Sequence, residues 1–179
     1  MEQFRSFDQL RTNELSVTRN GFFRPSFNLT DGQFIYGKLS YASLWKTVTI
    51  LETAQKTWTI KRKGVFSRTL IITGQNEEEL GMVIPEVWSR RIKLNMNNGF
   101  DAEFLNKKLF TRTFSLVNDR YGDILSIKTG LWSFKTPFNI TFNLDLLKNI
   151  PDLPLMALLG VNLILIKQAQ SAATAGVGS

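Results

Sequence analysis

Polar and apolar residues alternate along most of this chain with a period of two. In RIKLNM, which begins at Arg91, three apolar residues fall on one side of an extended chain and three polar residues fall on the other. The segments ELSVT, KTWTIKRKG, FDAEF and NITFNLDL repeat the pattern, and in the last one the apolar positions continue to Leu144 and Leu146. Such alternation is typical of strands with one buried and one solvated face. It predicts strands from about residue 14 to about residue 142.

Short turn signals separate these strands. Glycine accepts the positive φ that tight hairpin turns require, so a glycine after Asn or Asp marks a hairpin strongly. Seven turn signals punctuate the chain: Asn20-Gly21, Asp31-Gly32, Lys63-Gly64, Thr73-Gly74, Asn98-Gly99, Asn118-Asp119 and Tyr121-Gly122. They predict about ten to twelve strands at the short spacing of all-β sandwiches and barrels. Because no Pro- or Ser-rich linker interrupts them, a single domain over residues 1–179 is expected.

A faint repeat accompanies the strands. The segments FIYGKLSY, EELGMVIP and YGDILSIK each place a glycine beside a short apolar strand, at Gly37, Gly81 and Gly122, with a spacing of a little over forty residues. Two readings are open. One is an internal structural repeat, and the other is a set of chance matches in a meander of strands and glycine turns.

The C-terminal segment differs from the rest because it is apolar on every side. Residues 153–166 read LPLMALLGVNLILI, broken only by Asn162, and Leu, Met and Ala favour helix. A helix is expected from about residue 153 to about 170, with Asp152 as its N-cap and a small-residue tail over 171–179. A helix that is apolar all round is surrounded either by protein or by lipid. Its short apolar run favours a buried core helix, with a marginal membrane anchor as the alternative.

The two parts of the chain fit together. A barrel of ten or more strands is too wide for its own side chains to fill, so an apolar interior needs a plug. An all-apolar helix on the same chain supplies one. The predicted fold is therefore all-β with one core helix: a closed, mostly antiparallel β-barrel of about 10–12 strands wrapped around a hydrophobic C-terminal α-helix.

This architecture resembles the tubby C-terminal-like superfamily, which includes the LURP-one-related proteins of plants and the phospholipid scramblases. The resemblance covers roughly residues 31–172 and rests on TWTIKRKGVFSRTLIIT, on YGKLSY and YGDILSIK, and on the closing LMALLGVNLILIKQ. It implies a barrel around a central helix, with phosphoinositide headgroups bound by basic surface residues. The calcium-binding and cysteine-rich segments associated with scramblases have no counterpart in this sequence, so scrambling activity is not implied.

Two residue types are missing from the sequence, and their absence narrows the chemistry. The 179 residues include no Cys and no His, which excludes disulfides, thiolate zinc sites and Ser-His-Asp catalysis. Asp101 and Glu103, on one face of a predicted strand, are the remaining candidates for acid–base chemistry, but nothing in the sequence marks a substrate pocket around them. We therefore expect a protein that is not an enzyme, with no catalytic residue, no metal site and no cofactor.

Positive charge exceeds negative charge, with 22 Lys and Arg against 15 Asp and Glu and a net charge of +7. The candidate lipid- or anion-binding residues are Lys61, Arg62, Lys63 and Arg68 around one hairpin, with Arg90, Arg91 and Lys93 in a second cluster. A cationic hairpin suits phosphate groups. The alternative is a solvated barrel exterior with charges along its strands. The aromatic residues mostly occupy apolar positions, which predicts a core role rather than stacking on nucleic acid.

The sequence thus predicts a non-enzymatic binding or scaffold protein of the tubby-like type that associates with anionic lipid or membrane surfaces. The alternatives are a membrane-associated protein anchored by its C-terminal helix and a carrier of a small apolar ligand. Anionic phospholipid or a membrane surface is the expected partner, nucleic acid is not, and a monomer is expected. Because MEQFRSFDQL lacks a basic start followed by an apolar run, we expect a cytoplasmic location, peripheral to the membrane at most.

Overall fold

A closed β-barrel forms the body of the protein. The computed structural model describes residues 4–42, 48–86, 91–106, 113–130 and 135–175. Within these ranges twelve strands pair antiparallel, each with its neighbours in sequence, and the last strand pairs with the first to close the barrel. The strands are β1 (Glu14–Asn20), β2 (Ser26–Thr30), β3 (Ile35–Tyr41), β4 (Val48–Thr53), β5 (Thr57–Arg62), β6 (Leu70–Thr73), β7 (Glu79–Pro85), β8 (Arg91–Met96), β9 (Asp101–Asn106), β10 (Thr113–Asn118), β11 (Gly122–Thr129) and β12 (Phe138–Phe142). The predicted fold class is confirmed.

The connections between antiparallel strands alternate between the two ends of the barrel. We call the end reached by the odd-numbered strands the exit rim; its connections are residues 21–25, 42–47, 63–69, 86–90, 107–112 and 130–137. We call the other end the entry rim; its connections are residues 31–34, 54–56, 74–78, 97–100 and 119–121, together with 143–152, which lead from β12 into the helix. The helix therefore enters the barrel at the entry rim and points toward the exit rim.

Alternation along the strands builds the barrel interior. Each strand directs at least one large apolar side chain inward, and twelve of these form a belt in which every side chain is at most 2% exposed. The belt consists of Val17, Leu29, Leu39, Leu51, Ile60, Ile72, Val83, Leu94, Phe104, Leu116, Ile127 and Ile140. Cross-strand pairs such as Val17 with Leu29 and Leu39 with Leu51 place these side chains beside each other. Burial of this belt requires an apolar partner inside the barrel.

Helix α1 (Leu153–Ala175) is that partner. Leu153 and residues 155–163 are buried on all sides, residues 164–166 are partly buried, and the helix is exposed from Lys167 onward. A helix of 23 residues is about 34 Å long, whereas a six-residue strand spans about 20 Å. The helix therefore fills the barrel and emerges at the exit rim.

Three details of the sequence interpretation need correction. The helix continues to Ala175, into the segment expected as a small-residue tail. Leu144 and Leu146 belong to a 3₁₀ turn rather than to a strand, because the Asn143 side chain accepts a hydrogen bond from the Asp145 N–H and turns the chain. Asp152 directly precedes the helix, as expected for an N-cap, and its carbonyl accepts a hydrogen bond from the Met156 N–H. Its carboxylate, however, forms an ion pair with Lys56, with Oδ1 2.6 Å from Nζ.

The barrel consists of three four-stranded units. The pairing register shifts at equivalent places in β2–β3, β6–β7 and β10–β11, where Tyr36, Leu80 and Ile124 are the extra residues, spaced by 44 positions. The residues after them, Gly37, Gly81 and Leu125, face Leu29, Ile72 and Leu116 across each pair. The structure therefore favours the repeat reading. It also changes the third position of that repeat. The residue equivalent to Gly37 and Gly81 is Leu125, whereas Gly122 lies at the start of β11 with φ +67°.

Candidate functional site at the exit rim

The two rims carry opposite charge. Among the described residues, the exit-rim connections contain four cations, Arg24, Lys63, Arg68 and Lys135, against the acid Glu86. The entry-rim connections contain six acids, Asp31, Glu77, Glu78, Asp119, Asp145 and Asp152, against Lys56, Arg120 and Lys148. Such a separation produces a field that draws anions toward the exit rim.

The exit rim also exposes large apolar side chains. In the β1–β2 hairpin Phe22 and Phe23 are 83% and 87% exposed, and in the β5–β6 hairpin Val65 and Phe66 are 85% and 100% exposed. Among the described residues, the other exposed large apolar side chains are far less exposed, and one of them, Phe34, is covered by the Arg5 guanidinium at 4.0 Å. The expectation that aromatic residues belong to the core is therefore wrong for these hairpins.

A similar combination of residue types recurs in the sequence of each segment that follows an odd-numbered strand. Each has an apolar residue and an aromatic residue followed closely by a cation: Phe22-Phe23-Arg24, Leu44-Trp45-Lys46, Val65-Phe66-Ser67-Arg68, Val87-Trp88-Ser89-Arg90, Leu109-Phe110-Thr111-Arg112 and Leu131-Trp132-Ser133-Phe134-Lys135. The connections after β3, β7, β9 and β11 lie largely outside the described residues. This recurrence, read together with the strand order, is the signal that sequence reasoning missed.

The first predicted cluster of cations lies at this rim. Lys61 and Arg62 end β5, and Lys63 and Arg68 lie in the hairpin that follows; all four are exposed. Arg62 shares the inward side of β5 with Trp58 and Ile60, which places it over the mouth of the barrel.

The second predicted cluster is less available. Arg91 and Lys93 point outward as expected, but Arg91 pairs with Glu103 at 3.4 Å and Lys93 pairs with Glu86 at 2.9 Å. The hydrogen bond and the charge of Glu86 raise the pKa of Lys93. Arg90 lies outside the described residues. These ion pairs leave the β5–β6 hairpin as the better anion site.

Two adjoining cavities flank the helix where it leaves the barrel. The Asn162 cavity, about 640 Å³, lies between the helix and β4–β6 and is lined by Thr49, Ile60, Arg62, Leu70, Asn162 and Ile166, among others. The Phe114 cleft, about 690 Å³, lies on the neighbouring side and includes Arg68, Arg91, Ile92, Phe114 and Leu163. Arg62, Leu70 and Ile166 line both cavities. The cleft also brings Arg62, Arg68 and Arg91 from the two predicted clusters around one space.

Asn162 is the polar floor of its cavity. Its side chain is 1% exposed, and its Oδ1 accepts a hydrogen bond from the Thr49 hydroxyl at 3.1 Å. Its Nδ2 has no hydrogen-bond partner within the described structure. A buried donor without a partner costs free energy. Within the described residues, Asn28 Oδ1 is the other buried side-chain atom without a hydrogen bond, and it is an acceptor.

The remaining polar candidates do not assemble into a reactive site. Asp101 and Glu103 share the outer face of β9, as expected, but Asp101 is exposed and Glu103 is paired with Arg91. At the entry rim, burial tends to raise the pKa of Asp31, but hydrogen bonds from Phe34 N–H, the Tyr36 hydroxyl and Gln33 N–H outweigh it and lower that pKa. No cluster of acidic side chains suited to a metal occurs among the described residues.

Helix α1 is long and apolar enough to cross a membrane by length and composition, but 56% of its most apolar window is buried inside the barrel. Comparisons with protein-family models, with curated proteins and with solved structures give no match for this chain. The relation to the tubby-like superfamily therefore remains a prediction, based on architecture.

Proposed function

We propose that this protein is a non-enzymatic binding protein of the tubby-like type that docks on anionic membrane surfaces through its exit rim. The observation that carries the proposal is the β5–β6 hairpin, where Lys63 and Arg68 flank the fully exposed Phe66. Cations near an anionic leaflet attract the protein, and aromatic side chains prefer the depth of the headgroups.

The charge distribution supports a fixed orientation on the membrane. The exit rim is cationic and the entry rim is acidic, so an anionic surface attracts one end of the barrel and repels the other. The second apolar hairpin, with Phe22 and Phe23 beside Arg24, belongs to the same rim. Two apolar hairpins at one end restrict the orientation of the barrel on a membrane more than a single hairpin would.

Burial of the helix favours docking over anchoring. Leu153 and residues 155–163 lie in the barrel interior, and a transmembrane anchor would have to withdraw them. Withdrawal would expose the apolar belt of all twelve strands to water, at a cost of about 25 cal/mol per Å². Peripheral binding needs no such rearrangement.

The test is sedimentation of the full chain with vesicles of phosphatidylcholine alone and with 30% phosphatidylserine. We expect binding only to the anionic vesicles and its loss at high salt, since added salt shortens the Debye length. Reversal of Lys63 and Arg68 to Glu should reduce the affinity by about 2 kcal/mol or more, roughly thirtyfold. Reversal of Arg120 and Lys148, two cations of the entry rim, is the matched control and should have little effect. Equal binding to both vesicle types, or equal effects of both reversals, would contradict the proposal.

A further inference from the structure

The Asn162 cavity combines apolar walls with four polar side chains. Thr49, Lys61, Arg62 and Asn162 line it together with the apolar Ile60, Leu70 and Ile166. Cavities of several hundred Å³ with apolar walls and a few placed polar groups are typical of small-molecule sites. Its position beside a helix that otherwise fills the barrel makes it a candidate for one ligand.

The hydrogen bonding of Asn162 defines what the floor of the cavity can recognise. The Thr49 hydroxyl donates to Oδ1, which fixes the amide so that Nδ2 is the group left without a partner. A buried N–H without a partner requires an acceptor from a ligand or from solvent. The complementary ligand group is therefore a hydrogen-bond acceptor.

Arg62 defines the charge of that group. It lies on the inward side of β5 at the mouth, and its guanidinium has no ion pair or hydrogen bond among the described residues. A guanidinium presents donors in a fork that matches a carboxylate. An amide donor below and a guanidinium above favour an acceptor that carries one negative charge.

The adjoining Phe114 cleft defines the rest of the ligand. It shares Arg62, Leu70 and Ile166 with the Asn162 cavity and continues along the helix past Ile92, Phe114 and Leu163. The charged residues Arg68, Glu86, Arg91 and Lys167 also line the cleft. A ligand whose head lies at Arg62 can thus extend an apolar chain between the helix and the wall. Such burial contributes in proportion to the apolar surface removed from water.

We infer that the exit end of the barrel binds a long-chain carboxylate, with its head held by Arg62 and the Nδ2 of Asn162 and its acyl chain in the Phe114 cleft. This site adjoins the membrane-docking surface and shares Phe66 and Arg68 with it, but it takes one molecule into the barrel mouth and depends on Arg62 and Asn162 instead of Lys63. It gives the carrier function, which the sequence offered as an alternative, a ligand class and a position.

The test is calorimetric titration of the full chain with oleate below its micellar concentration. We expect one oleate per chain, and at least tenfold weaker binding of oleyl alcohol, which lacks the charge, and of acetate, which lacks the chain. Arg62→Met should weaken oleate binding about tenfold or more, because a charge-assisted hydrogen bond is lost. Lys63→Met is the matched control, since Lys63 neighbours Arg62 but is not among the residues that line either cavity. It should leave oleate affinity unchanged.

The Asn162 side chain offers a direct readout. Its NH₂ resonances, identified by their loss in Asn162→Leu, should shift when oleate is added to the wild-type protein. Absence of oleate binding, equal affinity for oleyl alcohol, equal effects of Arg62→Met and Lys63→Met, or an unmoved Asn162 resonance would each overturn the inference. We expect vesicle docking to depend on Lys63 and oleate binding to be independent of it. A failure of one proposal can therefore be distinguished from a failure of the other.

Discussion

The contact between Gly160 and the barrel wall gives the sharpest test of the helix position. A Cβ at residue 160 would lie 2.5 Å from Ile127 Cδ1 and 3.0 Å from Phe104 Cε1. Gly160→Ala therefore inserts a methyl group into a filled space, and Ile127→Val removes the atom that it would meet. The pair forms a double-mutant cycle across the helix–wall interface.

The magnitudes follow from two opposed effects. Ala is favoured over Gly in a helix interior by about 1 kcal/mol, whereas overpacking a core costs about 1–3 kcal/mol. Gly160→Ala should thus lower the free energy of unfolding by about 0–2 kcal/mol. Ile127→Val alone should cost about 0.5–1.5 kcal/mol. In the double variant the contact with Ile127 Cδ1 is removed and the longer contact with Phe104 Cε1 remains, so the combined loss should be smaller than the sum by about 1 kcal/mol or more.

Urea unfolding followed by tryptophan fluorescence measures these free energies. The control combines Gly160→Ala with Ile72→Val, which removes a methyl group from an equally buried belt residue on β6, away from Gly160. That pair should be additive within about 0.5 kcal/mol. Additivity of the Gly160–Ile127 pair as well would refute the placement of the helix against β11.

Three further results are expected. Ending the chain before Pro151 removes the core helix and should abolish cooperative thermal unfolding, because burial of each large aliphatic side chain contributes about 1.5–3 kcal/mol; a soluble, cooperative barrel would contradict this. Leu159→Asp places a charge at a fully buried position and should also prevent folding, as judged by near-UV circular dichroism. The lowered pKa of Asp31 stabilises the fold above the unfolded value of about 3.9, and this stabilisation is lost as the pH falls through the folded pKa. Asp31→Asn should therefore be less stable than the wild type in urea at pH 7, with the difference shrinking toward pH 2; a constant difference would exclude this linkage.

The strands and the helix could be predicted because their patterns are local. In β8 the alternation of Arg91, Lys93 and Leu94 matches their exposed and buried sides. Positive φ at Gly21 and Gly99 agrees with their place in turns between strands. The apolar alternation of β12 continues to Leu144, beyond the predicted strand end near residue 142. Alternation alone cannot show that the chain turns there, because the turn depends on the side-chain cap that Asn143 makes.

The candidate site could be predicted only in part, because it depends on contacts between distant residues. Asn162 is visible as the polar break in an apolar run, but its partner Thr49 lies 113 residues away. Exposed Phe22 and Phe66 look like core residues until the strand order places both hairpins at one rim. Arg62, by contrast, could have been assigned to the barrel mouth, since it continues the alternation of the inward residues of β5.

The geometry of a helix-filled barrel explains why both proposals concern the same end. Side chains from Leu153 to Leu163 occupy the interior, and the Asn162 cavity and the Phe114 cleft lie where helix burial decreases, around and beyond Asn162. That point lies at the exit rim, among the cationic and aromatic hairpins, whereas the Lys56–Asp152 ion pair ties the helix start to the entry rim. A barrel docked through the exit rim would turn the mouth of its cavity toward the lipid, which is the source of long-chain carboxylates. Membrane docking and uptake of an amphiphile would then be successive steps at a single surface.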